Sequence, residues 1–356
     1  MARATMAAVL CTAAFSTAPA HAATVSLADG LTLTEHRLDG PVVAQVLTAD
    51  LATPGLEAVY LNPGTVSATA PLSEQARAAG AIAAVNGDFF DLGHTDAPHG
   101  NGVTGGGFLH GRAKGWNHTA VIGADRRGRI ATLRTSATAA LPTGPVQVGN
   151  LNSGNVAPGG IGAYTPAWGD ADLGETVKGA DGVRAVRVGA GLVTETAADA
   201  DGWRPGPDTV LIGREEGAVA LAALAVGDPV TLDVPAPDAY TAISGNEVLL
   251  RDGETVAPGG YSPGPRTAVG FSADGSRMWL VTVDGRSDDS LGLTYVELAG
   301  FLAGLGAADG LSLDGGGSST MVARLPGADG LSVRNHPSMG YERDIPNGIG
   351  FRITDT

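Results

Sequence analysis

Cysteine is nearly missing from this sequence: Cys11 is the sole one among 356 residues. A disulfide framework and a cysteine-built metal site are excluded, and a catalytic thiol would have to be Cys11 itself. Bases are scarce too. Lys and Arg total 22 against 37 Asp and Glu, a formal net charge of -15, so most of the surface repels a polyanion and a nucleic-acid partner is disfavoured. Aromatic residues make up only 5%. No run approaches the roughly 18 to 20 apolar residues that a membrane-spanning helix needs. No repeat of about 20 to 50 residues is present either, which argues against a propeller or a solenoid.

What remains is ample for a globular protein. Hydrophobic residues are 43% and charged residues 17%, with 54 Gly and 21 Pro punctuating short apolar runs. That balance supports a buried core and not a disordered chain. Residues 1–22 have their own layout: Arg3, an apolar stretch from Met6 to Phe15, then Ala20-His21-Ala22. This is the pattern of a secretory leader cleaved after Ala22, and Cys11 would leave with it. The expected location is outside the cell or in its envelope.

Beyond the leader, runs of strand-forming residues are bounded by Gly, Pro, Asp and Asn. They include Leu31 to Leu38, Val42 to Leu47, Leu56 to Leu61, Ala81 to Val85, Thr119 to Gly123, Val183 to Val188, Thr209 to Gly213, Val230 to Val234, Thr267 to Phe271, Met278 to Val283 and Ile349 to Ile353. Two helices are expected. One spans Leu72 to Ala79; the other opens at the capping box Thr294-Tyr295-Val296-Glu297, places Leu298, Phe301, Leu302 and Leu305 on one stripe, and stops at Gly306. The fold class is therefore α+β, with strand-rich mixed sheets and few helices. Residues 23–356 read as one domain, with a β-rich insertion over 157–236.

Four polar clusters sit where strand-like runs end, the place from which a rigid scaffold presents reactive groups. Asn86, Gly87 and Asp88 follow Ala81 to Val85. Arg266 and Thr267 open a later run, Asp284 and Arg286 close another, and Asp314-Gly315-Gly316-Gly317-Ser318-Ser319-Thr320 closes a fourth. Asn-Gly-Asp and Asp-Gly are also ordinary turn sequences. Three successive glycines exceed what a turn requires and point to a close backbone approach to a ligand. No Lys follows them, so they are not a nucleotide-binding P-loop, and the stretch lacks the second Gly of a serine-hydrolase elbow.

In order and spacing, Asn86-Gly87-Asp88-Phe89-Phe90, Pro98-His99-Gly100, Arg266-Thr267-Ala268-Val269-Gly270, Val283-Asp284-Gly285-Arg286 and Asp314 to Thr320 resemble the motifs of phosphodiester glycosidases. Leu293 to Ala299 and Asn335-His336-Pro337-Ser338 continue the likeness, which covers about residues 80–353. Two positions depart from the pattern. Ala242 to Asn246 stands where a paired glycine is frequent, and His336 where an Arg is common. The resemblance implies hydrolysis of a sugar-1-phosphodiester at the sugar C1–O bond, as in members that release N-acetylglucosamine, with a phosphorylated glycan as partner and no required cofactor.

The residue types suit that chemistry. A departing phosphate monoester already stabilises its negative charge, so one carboxylate and one or two arginines could suffice. Arg266 or Arg286 can fork onto phosphate oxygens, while Asp88, Asp284 or Asp314 activates water or stabilises an oxocarbenium-like transition state. Asn86 and Thr267 would orient the ligand, and amides of Gly315, Gly316, Gly317 and Ser318, with Ser319 beside them, could receive an anionic oxygen. His99 is expected on a loop rimming the pocket. His94 to His99, Asp170/Asp172 and Asp288/Asp289 could attract a divalent cation, although none has a zinc-helix or EF-hand spacing. Trp116, Trp168, Tyr164 and Trp203 are candidates for stacking on sugars. The rival readings are a metal-dependent phosphodiesterase and a non-catalytic module that binds anionic polysaccharide.

Overall fold

A computed structural model of the chain describes residues 22–354 apart from residues 114 and 117. The predicted leader, up to residue 21, and Cys11 lie outside the described residues.

Period-two alternation organises the central layer. An eight-stranded antiparallel sheet runs in the order Ala22–Ala28, Leu31–Leu38, Val42–Asp50, Arg277–Val283, Arg266–Phe271, Asp309–Ser312, Val248–Arg251, Glu254–Thr255. Successive side chains of a strand point to opposite faces. Val42, Ala44, Val46, Ala268, Trp279 and Val281 accordingly share one face, buried under the helix Tyr295–Leu305 through Leu298, Ala299 and Leu302. Leu47, Ala49, Val269, Phe271, Met278 and Leu280 line the other face, where they meet Ala83, Val85, Met321, Ile349 and Phe351.

Those last residues belong to a five-stranded antiparallel sheet ordered Ser332–Val333, Met321–Ala323, Ala81–Asn86, Gly348–Ile353, Leu56–Leu61. The helix Leu72–Ala78 covers its far side with Leu72 and Ala76. A further five-stranded sheet, Gly107–His110, Gly102–Thr104, Thr241–Ser244, His118–Ile122, Gly128–Thr132, closes the same core through Ala120, Ile122, Ile130 and Ile243.

The described strands between Ala137 and Asp233 pair only with one another, as a three-stranded and a five-stranded sheet. This unit begins at Ala137, ahead of the expected 157, because the Ala- and Thr-rich strand Ala137–Leu141 carries too little apolar signal to announce itself. A third α-helix, Glu216–Ala222, was not expected. It is short and built from small residues, its first turn has no side-chain cap, and it packs so closely that a Cβ on Gly217 would strike the Gly160 carbonyl. The predicted second helix has its capping box, with Thr294 Oγ1 accepting from Glu297 N at 3.2 Å and Gly306 ending it in the left-handed region.

Strand register places the polar ends together. Arg266 pairs with Val283 and Ala268 with Ser312, so Arg266, Asp284 and Asp314 emerge at the same end of the eight-stranded sheet. In the facing sheet Asn86 pairs with Gly348 and Val85 with Met321, which brings Asn347 and Thr320 beside Asn86.

Candidate active site

The two sheets are joined at this end by buried and partly buried polar contacts. Asn86 Nδ2 donates to the Asp314 carbonyl at 2.7 Å, and Asn86 Oδ1 accepts from Thr267 Oγ1 at 2.7 Å and from Thr320 N at 3.1 Å. The Gly87 carbonyl accepts from Asp314 N at 2.9 Å. Asn86, Gly87, Asp88, Thr267 and Asp314 are therefore one cluster, although Thr267 and Asp314 lie 181 and 228 residues from Asn86.

Asp88 and Asp314 face different surroundings. Asp88 is 2% exposed; its Oδ2 accepts from Gly100 N at 2.5 Å, and its Oδ1 is buried with no hydrogen-bond partner among the described residues. Burial pushes its carboxyl up to about 8, aided by the negative charge of Asp314 and opposed by the backbone N–H groups of Gly100 and Phe89. Asp314 is raised less, to about 6, by burial, because Ser318, Gly315 N at 2.8 Å and the Arg343 charge favour its ionised form. At neutral pH Asp88 is chiefly the acid and Asp314 chiefly the carboxylate. Unequal environments have separated two neighbouring carboxyls into a proton donor and an anion.

The turn Gly315 to Ser319 follows directly and is flanked by arginines. Gly316 has φ +62°, and a Cβ there would stand 3.2 Å from Arg286 Nη2; one on Gly317 would strike Arg343 Nη2 and come within 2.7 Å of Met339 Sδ. The glycines thus admit two guanidinium groups against the backbone. Arg343 Nη1 donates to Ser318 Oγ at 3.3 Å, and Ser319 Oγ is buried and unpartnered among the described residues. The expected anion nest is altered. Gly315 N donates to Asp314, Gly316 N to the Pro265 carbonyl at 3.0 Å and Ser318 N to the Gly315 carbonyl at 3.2 Å, so three of the four amides are already engaged.

Arg266 is also placed differently from the expectation. Thr267 points between the sheets toward Asn86, so alternation turns Arg266 to the helix face. There Nε donates to the Leu293 carbonyl at 2.9 Å and Nη2 to the Ser262 carbonyl at 2.7 Å, with the guanidinium 4.4 Å from the centre of the Tyr295 ring. It braces the start of the helix. Arg286, by contrast, is exposed beside the glycine turn, in the left-handed region at φ +62°.

Asp284 holds a loop. Its Oδ1 accepts from His336 N at 2.8 Å, and burial raises its carboxyl against the opposing pull of His336 N and the Asn335 side chain. Asn335 in turn accepts from Met321 N at 2.8 Å and donates to the Ser319 carbonyl at 3.0 Å. His336 contributes its backbone and is exposed.

His99 lies next to Gly100 and stacks on Trp116, ring centres 4.9 Å apart, with Phe89 5.3 Å from the same indole. This half-buried group adjoins Asp88 through Phe89, its neighbour in sequence, and through His99, which precedes the Gly100 N–H that Asp88 accepts. Tyr164 and Trp168 are fully buried and Trp203 lies under Arg187 at 4.9 Å, so none of these three is a sugar platform at this cluster. Among the described residues no three His, Cys, Asp or Glu side chains gather as a metal site. Two of the groups considered for a cation have local partners: Asp172 Oδ1 accepts from Gly174 N at 2.8 Å and from Gly202 N at 2.9 Å, and His94 stands 3.8 Å from Glu175.

Four residues of this region escaped the sequence reading: Tyr60, His110, Arg343 and Asn347. Tyr60 looks like a core aromatic within Leu56–Leu61, and the others are single polar residues without a motif. The one available signal was Pro346-Asn347-Gly348, a turn sequence just before the last strand.

A family model described as phosphodiester glycosidase matches residues 175–352, half of the sequence, and the chain belongs to that family. The match includes Asp284, Arg286, Asp314 to Ser319, Arg343 and Asn347, whereas Asn86, Asp88 and His99 lie upstream of it. It begins inside the β-rich unit, so the later part of that unit belongs to what the family shares. Among solved structures, a hypothetical protein from Synechocystis is similar at 22% identity and TM-score 0.77, over 94% of this chain and 64% of that one. This chain thus spans less than two thirds of that relative's length. A protein from Burkholderia pseudomallei K96243 whose name calls it exported is similar at 23% identity and TM-score 0.66, over 90% of this chain and 76% of that one. Both share the fold. The catalytic domain of zebrafish N-acetylglucosamine-1-phosphodiester alpha-N-acetylglucosaminidase aligns at 16% identity and TM-score 0.44 over 94% of this chain and 88% of that one, a score at which the superposition says nothing of the site. No curated protein matches the chain.

Proposed function

We propose that this chain is a glycosidase that hydrolyses a sugar-1-phosphodiester between the anomeric carbon and its oxygen. One observation carries the reading: Asp88 and Asp314 meet where the two sheets join, beside a glycine turn that follows Asp314 and is flanked by Arg286 and Arg343, and burial raises the Asp88 carboxyl above that of Asp314. The two guanidinium groups neutralise the phosphodiester. Asp314 acts at the anomeric carbon, either directly or through water, and Asp88 gives its proton to the departing phosphate oxygen. Phe89, His99 and Trp116 offer a surface for the sugar ring. The chemistry needs no group beyond the chain's own.

The substrate class we propose is a phosphorylated glycan outside the cell or in its envelope. Support comes from the leader-like residues 1–22 and from the acidic balance of 37 acids against 22 bases, which suits a polymer contacted at a local cationic turn and not along its length. Hydrolysis in ¹⁸O-enriched water tests the reaction: the label should appear on the released sugar. Label on phosphate would establish P–O cleavage and a phosphodiesterase, and tight binding without turnover would establish a polysaccharide-binding module.

A further inference from the structure

Behind Asp88 the buried polar groups form a closed ring. Asp88 N donates to Asn347 Oδ1 at 2.8 Å, and Asn347 Nδ2 donates to Tyr60 Oη at 2.9 Å. Tyr60 Oη lies 2.7 Å from His110 Nε2, His110 Nδ1 lies 2.9 Å from the Gly100 carbonyl, and Gly100 N returns to Asp88 Oδ2 at 2.5 Å. Asn347 and His110 are 0% exposed, Asp88 2% and Tyr60 8%.

Backbone groups fix the direction of every proton in this ring. The Gly100 carbonyl can only accept, so His110 carries its proton on Nδ1. A neutral imidazole then leaves Nε2 bare, and Tyr60 must donate to it. Tyr60 oxygen accepts from the Asn347 amide, whose carbonyl must therefore face Asp88 N–H, as observed. A protonated His110 would leave the Tyr60 hydroxyl hydrogen without an acceptor, and burial holds this imidazole down to about 4. Space is reserved for the same groups. A Cβ on Gly87 would strike Asn347 Oδ1, one on Gly102 would strike His110 Nε2, and one on Gly100 would come within 2.5 Å of Asp88 Oδ2.

We infer that Tyr60, His110 and Asn347 are positioning residues that lock the Asp88 carboxyl by its Oδ2 side and leave Oδ1 as its one unpaired oxygen. The inference rests on the glycosidase reading for what Oδ1 does, but not for the ring itself. A ring that served only the core would saturate Asp88 fully, whereas Oδ1 is the single polar atom of its members that is buried and unpartnered. The charged neighbour facing Asp88 is Asp314, the other titratable group coupled to it is Tyr60, and His110 lies one link further on, behind Gly100.

The test compares Tyr60→Phe with Tyr164→Phe. Tyr164 is equally sequestered and its hydroxyl donates to the Ser153 carbonyl at 3.0 Å, so its loss reproduces the cost of a buried tyrosine hydrogen bond elsewhere. With ¹³C-labelled aspartate carboxyls in the full chain, and Asp88→Asn used to assign the resonance, Tyr60→Phe should raise the Asp88 titration midpoint by about one unit or more, because the Gly100 N–H contact that favours the anion loosens. Tyr164→Phe should leave it unmoved. On N-acetylglucosamine 1-(methyl phosphate), Tyr60→Phe should reduce kcat about tenfold or more with KM within about twofold. An Asp88 midpoint the same in Tyr60→Phe as in wild type overturns the inference. If the wild type fails to turn over this diester but the midpoint still moves only in Tyr60→Phe, the ring stands and the proposed substrate falls.

Discussion

Asp88 and Asp284 begin as near equivalents: each follows a buried strand, and each adjoins a glycine in a polar turn. Their carboxyls end in opposite states. Asp284 engages the His336 amide and the Asn335 side chain, and so ties the loop 335–338 to the eight-stranded sheet. Asp88 has its backbone and one oxygen held from behind while the other oxygen stays unpaired. The difference lies in distant partners: Asp88 is served by residues 60, 100, 110 and 347, Asp284 by residues 335 and 336. An acid at a strand end becomes a reactive group when the surrounding chain saturates all but one of its valences. It becomes a strut when its carboxylate is taken up by a neighbouring loop, as Asp284 is by residues 335 and 336.

The sharpest way to break this contrast is substitution of the acids. Asp88→Asn or Asp314→Asn should lower kcat about a thousandfold in the diester assay. Asp284→Asn retains an oxygen to accept from His336 N and should lose less than about tenfold. Equal losses at all three would erase the distinction.

Stability against pH sharpens it next. Asp88 has a folded value of about 8, above the ordinary value of 3.8, so the folded state holds a proton that the unfolded state has released between those limits. Its contribution is therefore greatest below pH 4 and is lost as pH rises toward 8. Asp314 adds a similar decline from about 4 to 6. Urea unfolding should show Asp88→Asn gaining about 2–3 kcal/mol on the wild type between pH 5 and 7. A difference that stays constant over this range would mean that Asp88 ionises normally.

The arginines provide the smallest and most local test. Arg286→Ala or Arg343→Ala should raise KM about tenfold by removing a charged phosphate contact. Arg266→Ala should leave KM within about threefold and instead lower folding stability by about 1–3 kcal/mol, through loss of its carbonyl bonds and the Tyr295 contact. A KM effect confined to Arg266 would reverse the assignment.

The legible parts of this molecule are those written in contiguous residues. Leu31–Leu38 declares itself by alternation, Leu56–Leu61 by a short apolar run, and Tyr295–Leu305 by its cap, stripe and terminal glycine. The glycine run after Asp314 announced a close approach, which proved to involve two side chains of the protein itself. The face of Arg266 was not legible because its motif gives its neighbours only; counting one residue back from Thr267 turns it toward the helix. Tyr60, His110 and Asn347 were beyond reach for a different reason. Each is one polar residue in an unremarkable setting, and only the meeting of two sheets makes them a unit.

The strand order has a kinetic consequence. Val42–Asp50 lies between Leu31–Leu38 and Arg277–Val283, so its second edge waits for a partner more than 200 residues downstream. Leu56–Leu61 and Ala81–Asn86 likewise wait for Gly348–Ile353. Such distant pairings make closure slow, since the entropy of bringing the segments together is lost before any contact repays it. Until Gly348–Ile353 arrives, Leu56–Leu61 and Ala81–Asn86 have no strand between them, and the emerging polypeptide remains in an open form that a chaperone can engage.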